Sequence, residues 1–367
     1  MKVNFILWGI LVFVFVSCIQ DEPLNREADI LDMYIEDDAF ITRGISENSI
    51  QLVVTDNADY SRLAPLVEVT PGAQVEPASG SVMDFSGGKT VIYKVTAEDR
   101  SYHKDYTVSV VSKISLKHEF EDWTTSGVGK AVHPILGDLL WSNANSGLAV
   151  LVALNIVKLD HYPTDKTTDC VSGEYAAMLQ TIKGAVVFGN NYPIFAGSLF
   201  RGNFSANMSN PLKSLRLGQV HNKEQGKPSL FNGYYKYSPG EVFTGPDGNV
   251  IPNRVDSMSM YAAIFRVTKG ASPDAEYLDG ESILASERVI GKAEWKANSE
   301  HVTETEAKNG FIRFSIPFEY KEEPDYNKYD YRLTVVCSSS KDGNEYQGAV
   351  GSKLIVDNLE IICDPIF

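Results

Sequence analysis

The sequence predicts an all-β protein in two parts: an N-terminal Ig-like β-sandwich, then a larger jelly-roll β-sandwich. Three observations carry that prediction. Short runs rich in Val, Ile, Tyr and Phe recur between turns of Gly, Pro and Asn. Helical periodicity sustained over 11 or more residues is hard to find. The texture also changes near Ser112–Leu116: strands lengthen, loops gain glycine and asparagine, and tryptophans appear.

The N-terminus is a targeting segment. Lys2 gives a positive start, Phe5–Val16 is an apolar run of signal-peptide length, and Val16-Ser17-Cys18 ends it. This resembles a bacterial lipoprotein signal, with residues 1–17 removed and Cys18 lipidated. Asp21 and Glu22 resemble the surface-export signal of Bacteroidetes lipoproteins. The expectation is an outer-membrane protein, lipid-anchored at Cys18 and exposed on the cell surface, with residues 18–28 as a polar tether.

Residues 29–113 carry strand-like runs at Ile30–Ile35, Ser49–Val54, Leu66–Val69, Thr90–Thr96 and Tyr106–Val111. Thr70-Pro71-Gly72 and Ser86-Gly87-Gly88 punctuate them as turns. The stretch from Tyr93 to Val110 reads as a hairpin. Short strands at this spacing suggest the Ig-like sandwich, here in the role of a spacer.

Residues 114–367 hold about ten further candidate strands, among them Leu148–Leu154, Leu230–Tyr237, Tyr331–Cys337 and Leu354–Cys363. That number in one domain fits a jelly roll better than an α/β fold. Within it, Ser229–Gly240 crowds four aromatics, a lysine and two glycines into one run. With period 2, Phe231, Tyr235 and Tyr237 share a buried face, while Asn232, Tyr234 and Lys236 face outward. Either the outward face grips a polar ligand, or the run is an ordinary core strand.

Composition narrows the function. A formal net charge of −15 argues against a nucleic-acid partner. Aromatics at 11% supply a core, and 22% charged residues exclude wholesale disorder. No CxxC pair, GxSxG, HExxH or P-loop occurs, and the six histidines lack ligand spacing. Cys337 and Cys363 each end a strand-like run; a disulfide and two buried thiols are both open. With 48 acidic residues, spacing alone picks no catalytic carboxylate pair.

A family likeness emerges from motifs in order. They are Phe120-Glu121-Asp122-Trp123, the run Leu140–Gly147, the run Ser172–Thr181, the run Gly197–Phe204, Gly233–Gly240, Ser338–Gly343 and Gly351–Ile361. Together they resemble the putative carbohydrate metabolism domain (PCMD) family of Bacteroidetes lipoproteins, over about Leu116–Cys363. The resemblance implies a jelly roll similar to carbohydrate-binding modules, a poly- or oligosaccharide partner, and a neighbouring glycan-uptake complex. The expected function is glycan binding; a glycoside hydrolase and a structural or adhesive surface protein are the alternatives.

Sugar sites combine an aromatic platform with planar polar groups. The candidates are Trp123, Trp141, Arg201, Asn232, Tyr234 and Lys236. The two tryptophans lie in Gly/Ser/Asn-rich stretches, where they either form a platform or fold onto the sandwich edge. Arg201 reaches a ligand or pairs with a surface carboxylate. Asp357, inside LIVDNLEII, falls by period 2 on a core-like face, where a bare carboxylate is costly. Carbohydrate-binding jelly rolls often hold a structural calcium between first and last strands. That resemblance implies Asp357 with Glu119 or Glu121 as Ca2+ ligands. A backbone-capping aspartate or a β-bulge is the other reading.

Overall fold

The structure is a computed structural model that describes residues 24–37, 39–55, 57–207, 210–272, 275–297, 302–364 and 366. Cys18 and the expected signal peptide, residues 1–17, lie outside the described residues. The chain divides into two compact units between Val111 and Ser112.

The first unit is a sandwich of two sheets. Ile30–Ile35 pairs with Pro65–Val69. The other sheet runs Phe40–Ile45, Ser49–Val54, His103–Ser112, Val91–Thr96, Gln74–Glu76. Alternation builds the core: Leu52, Val54, Tyr93, Val95, Tyr106 and Val108 turn inward and meet Met33 and Phe85. The Tyr93–Val110 hairpin forms in register, with Tyr93 opposite Tyr106. Short strands in two sheets around one core make this an Ig-like unit.

The second unit is the larger sandwich. One sheet runs Trp141–Asn143, Ser198–Phe204, Tyr329–Ser338, Ser259–Thr268, Val289–Glu294, Glu319–Tyr320, with Leu215–Leu217 and Gln219–His221 paired alongside. The other runs Thr164–Thr167, Ala176–Gln180, Lys353–Asp364, Lys227–Ser238, Phe311–Pro317, Val302–Lys308, with Ile114–His118 also on Lys353–Asp364. Residues such as Leu199, Met260, Leu333 and Cys337 from the first sheet meet Phe231, Phe314, Val356 and Leu359 from the second. Cys337 and Cys363 are both buried free thiols, not a disulfide.

Leu148–Leu154 is not a strand. Asn145–Ala153 is an α-helix, burying Asn145, Leu148, Ala149 and Leu151 while Val150 stays exposed. A short apolar run lacks the length that separates helix from strand, and burial at helical spacing decides it. Elsewhere strands break where glycine or proline intervenes. Asn190–Phe195 and Ser198–Phe204 are separate strands around Gly197, and Pro211–Ser214 is a 3₁₀ turn before Leu215–Leu217.

The Lys353–Asp364 strand is the seam of this unit. It pairs along its length with Lys227–Ser238. Its other edge is shared: Leu354 and Val356 pair with Ala176–Gln180, whereas Leu359–Cys363 pair with Ile114–His118. Between the two partners the strand carries a bulge, with Asn358 in the left-handed region (φ 47°). The bulge shifts the alternation by one residue. Leu354 and Val356 face the main core before it, and Leu359, Ile361 and Cys363 after it. Asp357 therefore stays with Ile355 on the sheet's other face and not with Leu359 and Ile361, as strict period 2 required.

Asp357 fills the gap in that edge. Its fully buried carboxylate accepts from the Val171 N–H (2.6 Å), the Ser172 N–H (3.4 Å) and the Asn358 N–H (2.8 Å). Glu121 accepts from the Glu174 and Tyr175 N–H groups at 3.0 and 3.2 Å. Two carboxylates thus clip the 171–175 loop over the seam. Burial raises the Asp357 carboxyl above its ordinary value, opposed by the three N–H donors, and nearby Glu121 adds to the rise. Glu119 is exposed. The Asp357 oxygens face N–H groups, and no cluster of three metal-ligating side chains occurs among the described residues. The N–H donors already match the Asp357 carboxylate, and a cation bound there would have to compete with them.

Asp357→Ala should strip an acceptor from buried N–H groups and lower stability by about 1–3 kcal/mol, read by denaturant melts. Because N–H groups already satisfy the carboxylate, the wild-type midpoint should be the same in EDTA and in calcium.

Candidate functional site

The side chains singled out from the sequence are mostly spent on the fold. Trp141 is 4% exposed in the main core, and its indole N–H donates to His118 Nδ1 (3.0 Å). It is a strand residue opposite Arg201, not a loop platform. Trp123 begins a short strand, packs half-buried on the core and donates its indole N–H to the Phe120 carbonyl (2.7 Å). Local Gly/Ser/Asn content suggested loops; pairing partners elsewhere in the chain made strands of them.

On Lys227–Ser238 the inward and outward faces follow period 2. Phe231 and Tyr235 are buried, Tyr237 packs half-buried against the same core, and Asn232, Tyr234 and Lys236 lie half-buried on the other face. Those polar groups are already engaged. Asn232 accepts from Ser315 Oγ (2.7 Å) and donates to Glu360 (3.4 Å). Lys236 pairs with Asp169 (2.5 Å) over the Phe311 ring. Tyr234 packs beside Phe311 and Val171. Arg201 is 3% exposed, so it is an interior residue and not the partner of a surface carboxylate.

A large concavity lies elsewhere, on the outer face of the eight-stranded sheet, with a volume of about 370 Å³. That volume sits in the range of small-molecule sites, roughly 300–1,000 Å³. Its floor is set by register. Ser198, Ser338 and Ser259 lie directly opposite one another on three adjacent strands, so their hydroxyls form one row. The next row on that face is Phe200, Val336 and Tyr261. Ser198, Ser259, Ser338, Val336 and Tyr261 all line the cleft.

The walls come from three segments. The Asn145–Ala153 helix presents Leu148 and Leu151. The hairpin Ile182–Val187/Asn190–Phe195 presents Phe188, Asn190, Tyr192 and Phe195. Phe188 sits at its turn with φ 50° and is 70% exposed. The third wall is the loop after Tyr329–Ser338, bearing Lys341, Asn344 and Tyr346.

Buried polar bonds hold this third wall. Asp256 accepts from Ser340 Oγ (2.6 Å), Ser352 Oγ (2.7 Å) and the Ala349 N–H (2.8 Å). Thr181 shares hydroxyl bonds with Ser339 and Ser340 at 2.7 and 2.6 Å. Tyr346 stands edge-on to Tyr192, centroids 4.6 Å apart, joining two walls. Burial pushes its phenol up to about 12, so the hydroxyl remains a protonated donor at neutral pH. No aspartate or glutamate is among the described residues lining the cleft. Rings, amides, hydroxyls and one ammonium suit a neutral polyol better than they suit acid–base chemistry.

Nothing local in the sequence marks these residues. Phe188, Tyr261 and Tyr346 lie on segments brought together only by the sheet order.

Behind the inner face, two histidines are held neutral. Burial, then the Arg201 charge, brings His118 down to about 3. Burial foremost brings His221 down to about 4. Both lie below the ordinary 6.5, so on acidification the unfolded chain takes up protons first. Their contribution is complete above about pH 6.5 and is lost as pH falls toward 4. The melting temperature should drop between pH 7 and pH 5, and His118→Gln should make that drop shallower.

Comparison with known proteins agrees with this architecture. Residues 117–362 match the putative carbohydrate metabolism domain (PCMD), and residues 30–110 match the family described as SGBP, N-terminal. No curated protein matches the chain. Solved structures that resemble it include two from Bacteroides species. One, described as a putative glycoside hydrolase from Bacteroides thetaiotaomicron, is 30% identical, covering 94% of this chain and 99% of that one (TM-score 0.55). The other, described as a putative glycoside hydrolase from Bacteroides vulgatus, is 27% identical, covering 68% of this chain and 98% of that one (TM-score 0.54). The chain belongs to the PCMD family, a carbohydrate-associated family, and carries an SGBP-type N-terminal domain ahead of it.

Proposed function

We propose that the chain is a cell-surface glycan-binding protein whose PCMD domain takes a neutral oligosaccharide in the aromatic cleft. The observation that carries this reading is the lining. Phe188, Tyr192 and Tyr346 offer ring faces and edges to sugar C–H groups, and the serine row and Asn344 offer partners for hydroxyls. The SGBP-type N-terminal domain and the lipoprotein-like start support presentation at the cell surface through lipid at Cys18, with the Ig-like unit as spacer.

Hydrolysis is the second reading, favoured by the descriptions of the two similar structures. A glycosidase needs two carboxyl groups about 5–10 Å apart across the scissile bond. The carboxylate-free lining of the cleft, among the described residues, supports binding over cleavage.

Affinity electrophoresis and calorimetry against a panel of neutral plant and host polysaccharides test the proposal. Phe188→Ala should leave the melting temperature unchanged, since the ring is exposed, and weaken binding about tenfold, or about 1.4 kcal/mol. Reducing-sugar assays on the same panel should show no release. Release of reducing ends would replace the proposal with the hydrolase reading.

A further inference from the structure

A second concavity in the PCMD domain shares no lining residue with the aromatic cleft. It is lined by Leu116, Lys117 and His118 from one sheet, and by Arg201, Gln219 and Val220 from the other, among others. Arg201 reaches it through strand alternation. Leu199 faces the main core, Phe200 the outer cluster, and Arg201 turns inward again.

The Arg201 side chain is buried, yet its Nε and Nη1 have no hydrogen-bond acceptor among the described residues. The groups around it do not compensate its charge. Cys363 is a buried thiol held up to about 12, hence neutral. Asp138 attracts the guanidinium from a distance while its carboxylate serves the Leu140 and Trp141 N–H groups at 3.1 and 3.2 Å. Desolvation lowers the Arg201 value, as expected for a cation without a counter-ion.

His118 adds a third unsatisfied donor. Its Nδ1 accepts the Trp141 indole N–H, so the neutral ring carries its proton on Nε2. That buried Nε2–H has no acceptor either among the described residues. His221 is fixed the opposite way, with Nε2 on the Gly226 carbonyl at 2.7 Å. Its other nitrogen presents a lone pair and adds no positive charge. The described lining holds Lys117 and Arg201 but no aspartate or glutamate, in a chain whose net charge is −15.

A buried guanidinium without an anion is costly, and an Arg fork matches an oxyanion with two parallel hydrogen bonds. We propose that Arg201 and His118 form a binding site for an oxyanion, contributed by the carboxylate of an acidic sugar or by free inorganic sulfate or phosphate. The Arg201 fork, Nη2–H paired with either Nε–H or Nη1–H, donates to two oxygens, and His118 Nε2–H donates to the anion from the facing sheet. The site stands independently of the aromatic cleft.

Thermal melts of the purified protein test it, with sodium glucuronate, sulfate and phosphate titrated in separate arms. Sodium chloride at matched ionic strength is the reference. At least one oxyanion should raise the melting temperature saturably over chloride, and the arm that does so identifies the source. Arg201→Met should abolish that rise and, by removing an uncompensated charge, should itself melt higher than wild type without anion. Arg201→Lys should keep the charge, lose the fork and bind at least tenfold more weakly. The proposal is overturned if no oxyanion exceeds chloride, or if Arg201→Met responds as wild type does.

Discussion

The interrupted edge of the Lys353–Asp364 strand is the constraint on which the larger unit depends. Two different strands pair with that edge, and neither spans the Asp357–Asn358 bulge. A gap inside a sheet would leave backbone N–H groups without partners, at a cost comparable to a lost hydrogen bond for each. The chain closes it with carboxylates: Asp357 and Glu121 take the N–H groups of Val171, Ser172, Glu174 and Tyr175. The same bulge resets the alternation, so that Val356 and Leu359 both reach the main core. With that sheet fixed, the opposing sheet packs on it and turns its outer face to the cleft.

Much of this fold was legible in the sequence. Ile30–Ile35 and Ser49–Val54 were readable to the residue, because apolar alternation and flanking turns agree there. The inward face of Lys227–Ser238 was legible for the same reason, with Phe231 and Tyr235 two steps apart on either side of Gly233. Period 2 failed at Asp357 because a bulge breaks the count, and Asn358 is the one local hint, as a residue type that tolerates the left-handed region. It failed at Asn145–Ala153 because nine residues cannot declare a helical period unaided.

The candidate site was less legible, for a physical reason. Aromatic and polar residues look alike in a sequence whether they hold the protein together or await a ligand. Trp141, Asn232 and Lys236 have the chemistry of a sugar site, but His118, Ser315 and Asp169 already engage them. The cleft is assembled from segments that show nothing of it singly. Its serine row exists only because Ser198, Ser338 and Ser259 fall in register on three strands far apart in the chain. Arg201 shows the reverse case: an arginine beside glycine reads as a surface residue, and only strand alternation turns it into the interior.

The proposal of binding without hydrolysis rests on where the carboxylates are. This acidic chain has many, yet Asp256, Asp357 and Glu121 serve as acceptors for backbone and serine groups that shape loops. The cleft is left with rings, amides and hydroxyls. Hydrogen–deuterium exchange, with and without a polysaccharide that the protein retains, tests this placement most directly. Slower exchange across the 186–192 hairpin turn and the 341–346 loop is the predicted result. Slower exchange confined to the 232–236 face of the other sheet, with the hairpin and loop unchanged, would contradict it.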